Sequence, residues 1–225
     1  MKICVIGSNG QLGRHLFNKY KNNKNFFFFS SSLKKGPFLK GDLTKPKPLI
    51  FFLNKIKPIV IINCSAYTNV DQAELEKKKA SAINFKGVQI LSKYCFKNNI
   101  VLIHFSTDYV YSGKGNLAWK ETSVCNPINH YGYTKRKGEK SILNSKCKFI
   151  ILRLSWLYGE YGKENFIIKI IKLAKLKKKL YMVKDQYGSP TSTDLVISAL
   201  RKILTKIKKN KFQSGIFNLC PARNT

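Results

Sequence analysis

The first twenty residues leave this chain few folds. Lys2 to Ile6 (KICVI) is a short apolar run of the kind a strand buried on both faces needs. G-S-N-G-Q-L-G follows at once, Gly7 to Gly13, and then R-H-L-F-N-K-Y, which can be a helix. Gly7 allows a tight exit from the strand, Gly10 lets backbone approach a pyrophosphate, and Gly13 lets the helix pack on the strand. The phosphates would lie at the helix N-terminus, where unpaired N–H groups and the helix dipole favour an anion. A plain turn is the competing reading. The position between strand end and helix start favours a dinucleotide cradle.

The rest of the chain repeats the strand–helix alternation. Phe26 to Phe29 is the expected second strand, Ile59 to Asn63 the third, Val101 to Phe105 the fourth, Phe149 to Leu154 the fifth and Gly215 to Leu219 the last, with a short one at Leu180 to Val183. Asp71 to Tyr94 reads as one long helix or two, with its acids early and its lysines late, as the dipole prefers. Asn165 to Lys177 is a basic amphipathic stretch with Phe166, Ile167, Ile170, Ile171 and Leu173 on its apolar side. It reads as a helix covering the sheet rather than one lying on a membrane. Ser192 to Ile207 is a further helix. The pattern predicts an α/β, Rossmann-type, doubly wound parallel sheet. Residues 1–150 form the NAD(P)-binding domain, and residues 151–225 complete the sheet and add part of a small substrate lobe.

Several positions along the sheet's carboxyl rim suit a nucleotide. No acid ends the second strand; Ser30, Ser31 and Ser32 stand there, with Lys34 and Lys35 next and Arg14 in reach. An uncharged tip with cations suits a 2′-phosphate, so NADPH is expected, with NADH still open. Each lysine taken singly reads as well as a solvated side chain. Asp42, in the loop G-D-L-T, can bond an adenine amine. Ser65 and Ala66, after the third strand, are small enough to let a cofactor lie close.

Composition narrows the partners. A formal net charge of +31 suggests nucleic acid or an anionic membrane. The lysines are spread over nearly every segment, together with Asn, Ile and Phe, as AT-rich coding would produce, and no single lysine face carries interleaved aromatics. No specific nucleic-acid partner and no membrane is expected. No run reaches the roughly 20 apolar residues of a spanning helix, and no leader pattern precedes the first strand. The six cysteines show no C-x-x-C pairing, which fits reduced thiols and a cytoplasmic location.

The candidate chemistry lies in N-H-Y-G-Y-T-K, Asn129 to Lys135. Tyr131 and Lys135 are spaced i, i+4 and share a helix face. A neighbouring ammonium favours a phenolate, so this tyrosine should ionise more easily and pass a proton to a developing alkoxide. Taken alone, Y-x-x-x-K is a weak signal. Thr107, in S-T-D-Y-V-Y at the end of the fourth strand, offers a hydroxyl to a substrate carbonyl; a threonine bonded to its own loop is the alternative.

GSNGQLG at 7–13, GDLT at 41–44, NCSAYTNVDQAE at 63–74, STDYVY at 106–111, NHYGYTK at 129–135, LRLSWLYGEYGKENF at 152–166 and DQYGSPT at 185–191 run in order over nearly the whole chain. On these stretches the sequence resembles the extended short-chain dehydrogenase/reductase family, in a branch that binds deoxythymidine-linked sugars (dTDP-sugars). The resemblance implies an NAD(P)-dependent reductase with Tyr131 as proton donor. It casts Lys135 as the lysine that holds the nicotinamide ribose and lowers the tyrosine pKa, and Thr107 as the hydroxyl that steadies the keto oxygen. It implies cofactor contacts at Gly7, Gly10, Gln11, Leu12, Gly13, Asp42, Leu43, Ser65, Ala66 and Tyr67, besides Tyr131 and Lys135. Asp108 and Trp156 join Thr107 as implied substrate contacts. The same branch includes a non-catalytic NADP-binding partner of methionine adenosyltransferase, which is the alternative function, and a homodimer stays open. His15 stands where some members carry an acid of a magnesium site, so no metal is expected, and His15 itself reads as solvated or capping. The family pattern continues beyond the last strand, so the substrate lobe is expected to be shortened.

Overall fold

A computed structural model describes residues 1–31, 38–115, 117–162, 165–176, 179–181 and 188–221. Strands β1 (Ile3–Ile6), β2 (Phe26–Ser30), β3 (Leu39–Lys40), β4 (Val60–Asn63), β5 (Val101–Thr107), β6 (Phe149–Leu154) and β9 (Gly215–Asn218) form one sheet, in the order β3-β2-β1-β4-β5-β6-β9. Every neighbouring pair in it is parallel. The order reverses direction at β1, so the crevice beyond the carboxyl ends of β1 and β4 is the switch point where α/β sheets bind ligands. Two short strands, β7 (Leu157–Tyr158) and β8 (Thr191–Ser192), pair apart from the sheet.

Both faces of the sheet are apolar, and alternate strand residues serve opposite faces. Ile3, Val5, Val60, Ile62, Ile103 and Leu152 pack with Leu12 and Leu16 of α1 (Gln11–Tyr20) and with Val196 and Leu200 of α8 (Thr193–Lys208). Cys4, Ile6, Ile61, Leu102 and Ile151 pack on the other side. They meet Leu49 and Leu53 of α2 (Pro46–Ile56), Val88 and Leu91 of α5 (Val88–Lys97), and Ile142 of α6 (His130–Asn144). The thiols are free, and Cys4, Cys95 and Cys147 are buried in this second layer. Burial pushes the Cys4 thiol up to about 12.

Some elements differ from the sequence reading. A helix that the sequence reading did not include, α2, opens at the prolines after G-D-L-T. Pro46 falls in the first turn of α2, where a missing N–H costs nothing, and Leu49, Leu53 and Ile56 make its buried stripe. The helix stops at Lys57, whose backbone is left-handed, just before Pro58. The expected helix from Asp71 to Tyr94 is broken into α3 (Val70–Leu75), α4 (Lys77–Ser81), a π-helical turn (Ala82–Gly87) and α5. The stretch expected to cover the sheet forms α7 (Phe166–Leu176), but Ile171 (51% exposed), Leu173 and Leu176 (81%) face outward instead of into the core. The side chains of Phe166 and Ile167 lie outside those described. The short strand expected at Leu180 to Val183 falls partly outside the described residues, as does DQYGSPT through Asp185, Gln186 and Tyr187, and Ser32, Lys34 and Lys35 fall wholly outside them. Among the described residues no helix is long and apolar enough to cross a membrane.

Candidate active site

The glycine turn joins β1 to α1 through two forced approaches. Gly7 has φ of +83°, and a Cβ there would meet Ser65 N and Oγ at 2.7 Å. A Cβ on Gly13 would meet the Gly7 carbonyl at 2.2 Å, so the helix lies directly on the strand exit. Gly10 is the N-cap of α1 and supplies no side-chain cap, and a Cβ there would find only the Gly7 carbonyl, at 3.4 Å. Among the described residues the first-turn N–H groups of α1 have no side-chain cap, a cradle that fits a pyrophosphate. Leu12 sits in the core, leaving its backbone to face this site. The Gln11 side chain is committed elsewhere: Nε2 donates to Leu157 O at 2.9 Å, and Oε1 accepts from Asn165 at 3.0 Å. Gln11 thus ties the segment after β6 to the glycine turn.

The neighbouring rim positions are braced from behind. Asn63 Oδ1 accepts from Ser65 N at 3.1 Å and shapes the loop after β4. Asn84, buried in the π-helical turn, accepts from Tyr67 N at 2.8 Å and donates to Tyr67 O and to Thr134 Oγ1 of α6. It fixes the loop carrying Ser65, Ala66 and Tyr67 to the helix carrying Tyr131. The Tyr67 hydroxyl donates to Glu76 at 2.8 Å. Asp42 accepts from Thr44 N and Oγ1, and Leu43 is buried against Gly87. The Arg14 guanidinium lies 5.0 Å from the ring of Phe38, the residue before β3. His15 is neither solvated nor capping as expected. Its Nδ1 is 2.8 Å from Thr193 Oγ1, and the ring meets Tyr161 edge-on, linking α1 to α8. Among the described residues no group of His, Cys, Asp and Glu could hold a metal.

Tyr131 and Thr107 do meet. Asn129 caps α6 by accepting from Gly132 N at 2.8 Å. Gly132 is what allows the approach, because a Cβ there would meet the Tyr109 carbonyl at 2.1 Å. Gly138 repeats this against the Asn84 carbonyl at 2.3 Å. The helix start is pressed onto the turn Asp108–Val110, with Tyr109 edge-on to the Tyr131 ring. The Thr107 hydroxyl donates to Asp108 Oδ1 at 2.9 Å and accepts from Tyr109 N at 3.2 Å, so it is bonded within its own loop, and it lies close enough to the Tyr131 phenol to lower its pKa. Burial raises the phenol pKa, Asp108 and Tyr109 add to this, and the Thr107 hydroxyl opposes it. Lys135 is not among the influences on the phenol, contrary to the expectation that it makes Tyr131 easier to ionise. Its Nζ is turned to Phe105 O at 2.6 Å and stands 3.5 Å from His104 Nε2. Burial lowers Lys135 to about 8, against a smaller upward pull from Glu139.

Glu139, one turn beyond Lys135, anchors a buried ion cluster. Arg153 of β6 donates to it from Nε at 2.9 Å and Nη2 at 2.8 Å, and Arg136 from Nη1 at 2.7 Å. Burial alone would push this carboxyl up, but the Arg153 guanidinium holds it below its ordinary value. Arg153 Nη1 also donates to Tyr111 OH at 2.7 Å. Asp108, whose carboxyl is raised by burial, faces the same end of the sheet. Trp156 follows β6 with φ of +43°, a strained backbone for an aromatic residue, and its indole would collide with any side chain at Gly188. Asn84, Glu139, Arg153 and His104 were not singled out in the sequence. Each is a polar residue in an apolar or helical context, a signal that marks burial only once the partners are known.

The family described as the RmlD substrate binding domain matches residues 1–225. A dTDP-4-dehydrorhamnose reductase of Aggregatibacter actinomycetemcomitans is 38% identical over 206 residues, 92% of this chain and 68% of that protein. One from Salmonella typhimurium is 32% identical over 225 residues, 100% of this chain and 74% of its own. The dTDP-4-dehydrorhamnose reductase of Bacillus anthracis, solved in complex with NADP, superposes with a TM-score of 0.86 at 31% identity. That match covers 99% of this chain and 76% of the other.

Proposed function

The chain belongs to the RmlD substrate binding domain family, and from that premise we propose that it is an NADPH-preferring reductase converting dTDP-4-dehydro-L-rhamnose to dTDP-L-rhamnose. The observation that carries the reading is the Tyr131–Thr107 contact on the carboxyl rim, between the glycine cradle and Trp156. Residues 1–150 hold the cofactor and residues 151–225 supply part of the sugar-facing surface. The first-turn backbone of α1 and the small residues Ser65 and Ala66 would hold the dinucleotide, which when bound supplies a hydride to C4 of the keto sugar. The preference for the 2′-phosphate form rests on Ser30, which ends β2 where an acid would grip the ribose, and on the cation Arg14 in α1.

The chain's own groups then handle the oxygen. Thr107 orients the keto group, and Tyr131 gives its proton to the oxygen as that oxygen gains charge. A phenol whose pKa is raised by burial is protonated at neutral pH, the state a donor needs. Asp108 bonds sugar hydroxyls and Trp156 offers its ring face to the deoxysugar. Loss of absorbance at the nicotinamide band on adding the keto sugar nucleotide tests the activity. Tyr131→Phe is expected to lower turnover by about 100-fold or more, while cofactor binding, read by nicotinamide fluorescence, stays as in the wild type. A variant turning over at the wild-type rate would remove Tyr131 from its role.

A further inference from the structure

Asn63 and His104 are register partners on neighbouring parallel strands, and both are buried. Four groups form a line there. Ser65 N–H donates to Asn63 Oδ1 at 3.1 Å, which fixes the amide so that its Nδ2 faces His104 Nδ1 at 3.1 Å. An amide nitrogen can only donate, so His104 Nδ1 must accept. The ring is buried, and burial, then the charge of Lys135, push its pKa well below the ordinary value, so it is neutral. A neutral ring that accepts at Nδ1 carries its proton on Nε2. Nε2 is the atom that faces Lys135 Nζ at 3.5 Å, while Nζ donates to Phe105 O.

We infer that His104, held by Asn63 in the tautomer protonated on Nε2, is a positioning residue for Lys135 that presents an N–H to the lysine nitrogen. This rests on the reading of Lys135 as part of the reductase site. An N–H cannot accept from an ammonium, so His104 favours the neutral amine and adds to the effect of burial. The other tautomer would set Nδ1–H against the Asn63 amide and force that amide to turn, breaking its bond with Ser65. The protonation of Lys135 is thus coupled through the sheet to the loop beside the glycine turn. The charged and titratable groups that act on the amine are His104 on β5 and Glu139 on α6, with Arg153 on β6 behind Glu139; Tyr131 stands one turn earlier on α6, with Asp108 beside it. Of these, Glu139 pulls the lysine upward, against His104.

The test has two parts. Long-range proton–nitrogen NMR on the whole chain with labelled histidine reads the tautomer of His104 without any turnover. The Nε2-protonated form is expected at neutral pH, and Asn63→Asp, whose carboxylate accepts where the amide donated, should switch it to the Nδ1-protonated form. The pH profile of NADPH oxidation then reads Lys135. In His104→Phe the lysine limb should move up by about half a pH unit, roughly threefold in proton affinity. His104→Gln, which keeps a donor, should hold it near the wild-type position. Wild-type His104 found protonated on Nδ1 or on both nitrogens overturns the inference, and so does an unmoved limb in His104→Phe. If no keto sugar is reduced at all, the reductase reading fails, while the NMR still decides the tautomer.

Discussion

The wall formed by β5, β6 and α6 and the segment that follows β6 face one another across the sheet rim, yet they are built differently. In the wall, buried charge is paired: Glu139 takes three donors from two arginines, and Arg153 reaches on to Tyr111. In the segment, the ties are sparse. The pair β7–β8, the Gln11 bonds to Leu157 and Asn165, and the seating of Gly159 on Thr193 secure it, while α7 leaves apolar side chains exposed. On the proposed function the wall moves a proton, a task that needs fixed positions and low dielectric, and the wall supplies both. A surface that receives a sugar nucleotide needs shape more than buried charge.

The contrast is broken most directly at Glu139. Glu139→Ala leaves Arg153 and Arg136 without their carboxylate, and the loss should be about 3–5 kcal/mol, read from urea unfolding. Glu139→Leu combined with Arg153→Met should recover much of it, because the uncompensated charge goes too. A loss under about 1 kcal/mol for the single variant would mean that the cluster does not hold the wall together.

Lys135 sharpens the same contrast through pH. Its folded pKa, about 8, lies below the ordinary 10.5, so the fold favours the neutral amine. The penalty is present in full below about pH 8 and is relieved as pH rises toward 10.5, where the unfolded chain also gives up its proton. Stability should therefore rise with pH across that window by about 3 kcal/mol more in the wild type than in Lys135→Met. Parallel curves for the two proteins would show that the amine is not desolvated.

How far all this could be read from the residues alone depends on range. The glycine turn, the six longer strands of the sheet and the Tyr131–Lys135 spacing were legible because each is set within a few residues of chain, whereas the two-residue strands β3, β7 and β8 were not. The direction of the Lys135 amine was not: i, i+4 spacing puts it on the face of Tyr131 but does not say that Phe105 O and His104 claim it. Nor were the tasks of Gly132 and Gly138, since the carbonyls they admit belong to Tyr109 and Asn84, remote in sequence. The π-helical turn that aims Asn84 has no compositional mark. The stripe on α7 was read as a core face because periodicity reports amphipathicity and not which surface is covered.

Gly132 offers the next test. Gly132→Ala puts a methyl where Tyr109 O stands 2.1 Å away, and backbone cannot give way as a flexible side chain can. Overpacking of this kind should cost about 1–3 kcal/mol. Turnover should fall by about 100-fold as Tyr131 shifts from Thr107. The two readouts separate scaffold from site: lost turnover at unchanged stability would mean that only the Tyr131–Thr107 contact depends on this approach.

The smallest effect is expected on the other side of the comparison. If α7 contributes little to the fold of this chain, polar substitutions on its outward face should be nearly silent. Ile171→Lys and Leu176→Glu alter side chains that are 51% and 81% exposed, and each should shift stability by no more than about 0.5 kcal/mol. Urea unfolding of both variants beside the wild type checks this, with an unchanged m-value showing that the same surface is exposed on unfolding. A loss above about 1 kcal/mol would place these side chains against packed structure, and the difference drawn between a braced wall and a thinly tied segment would then not hold.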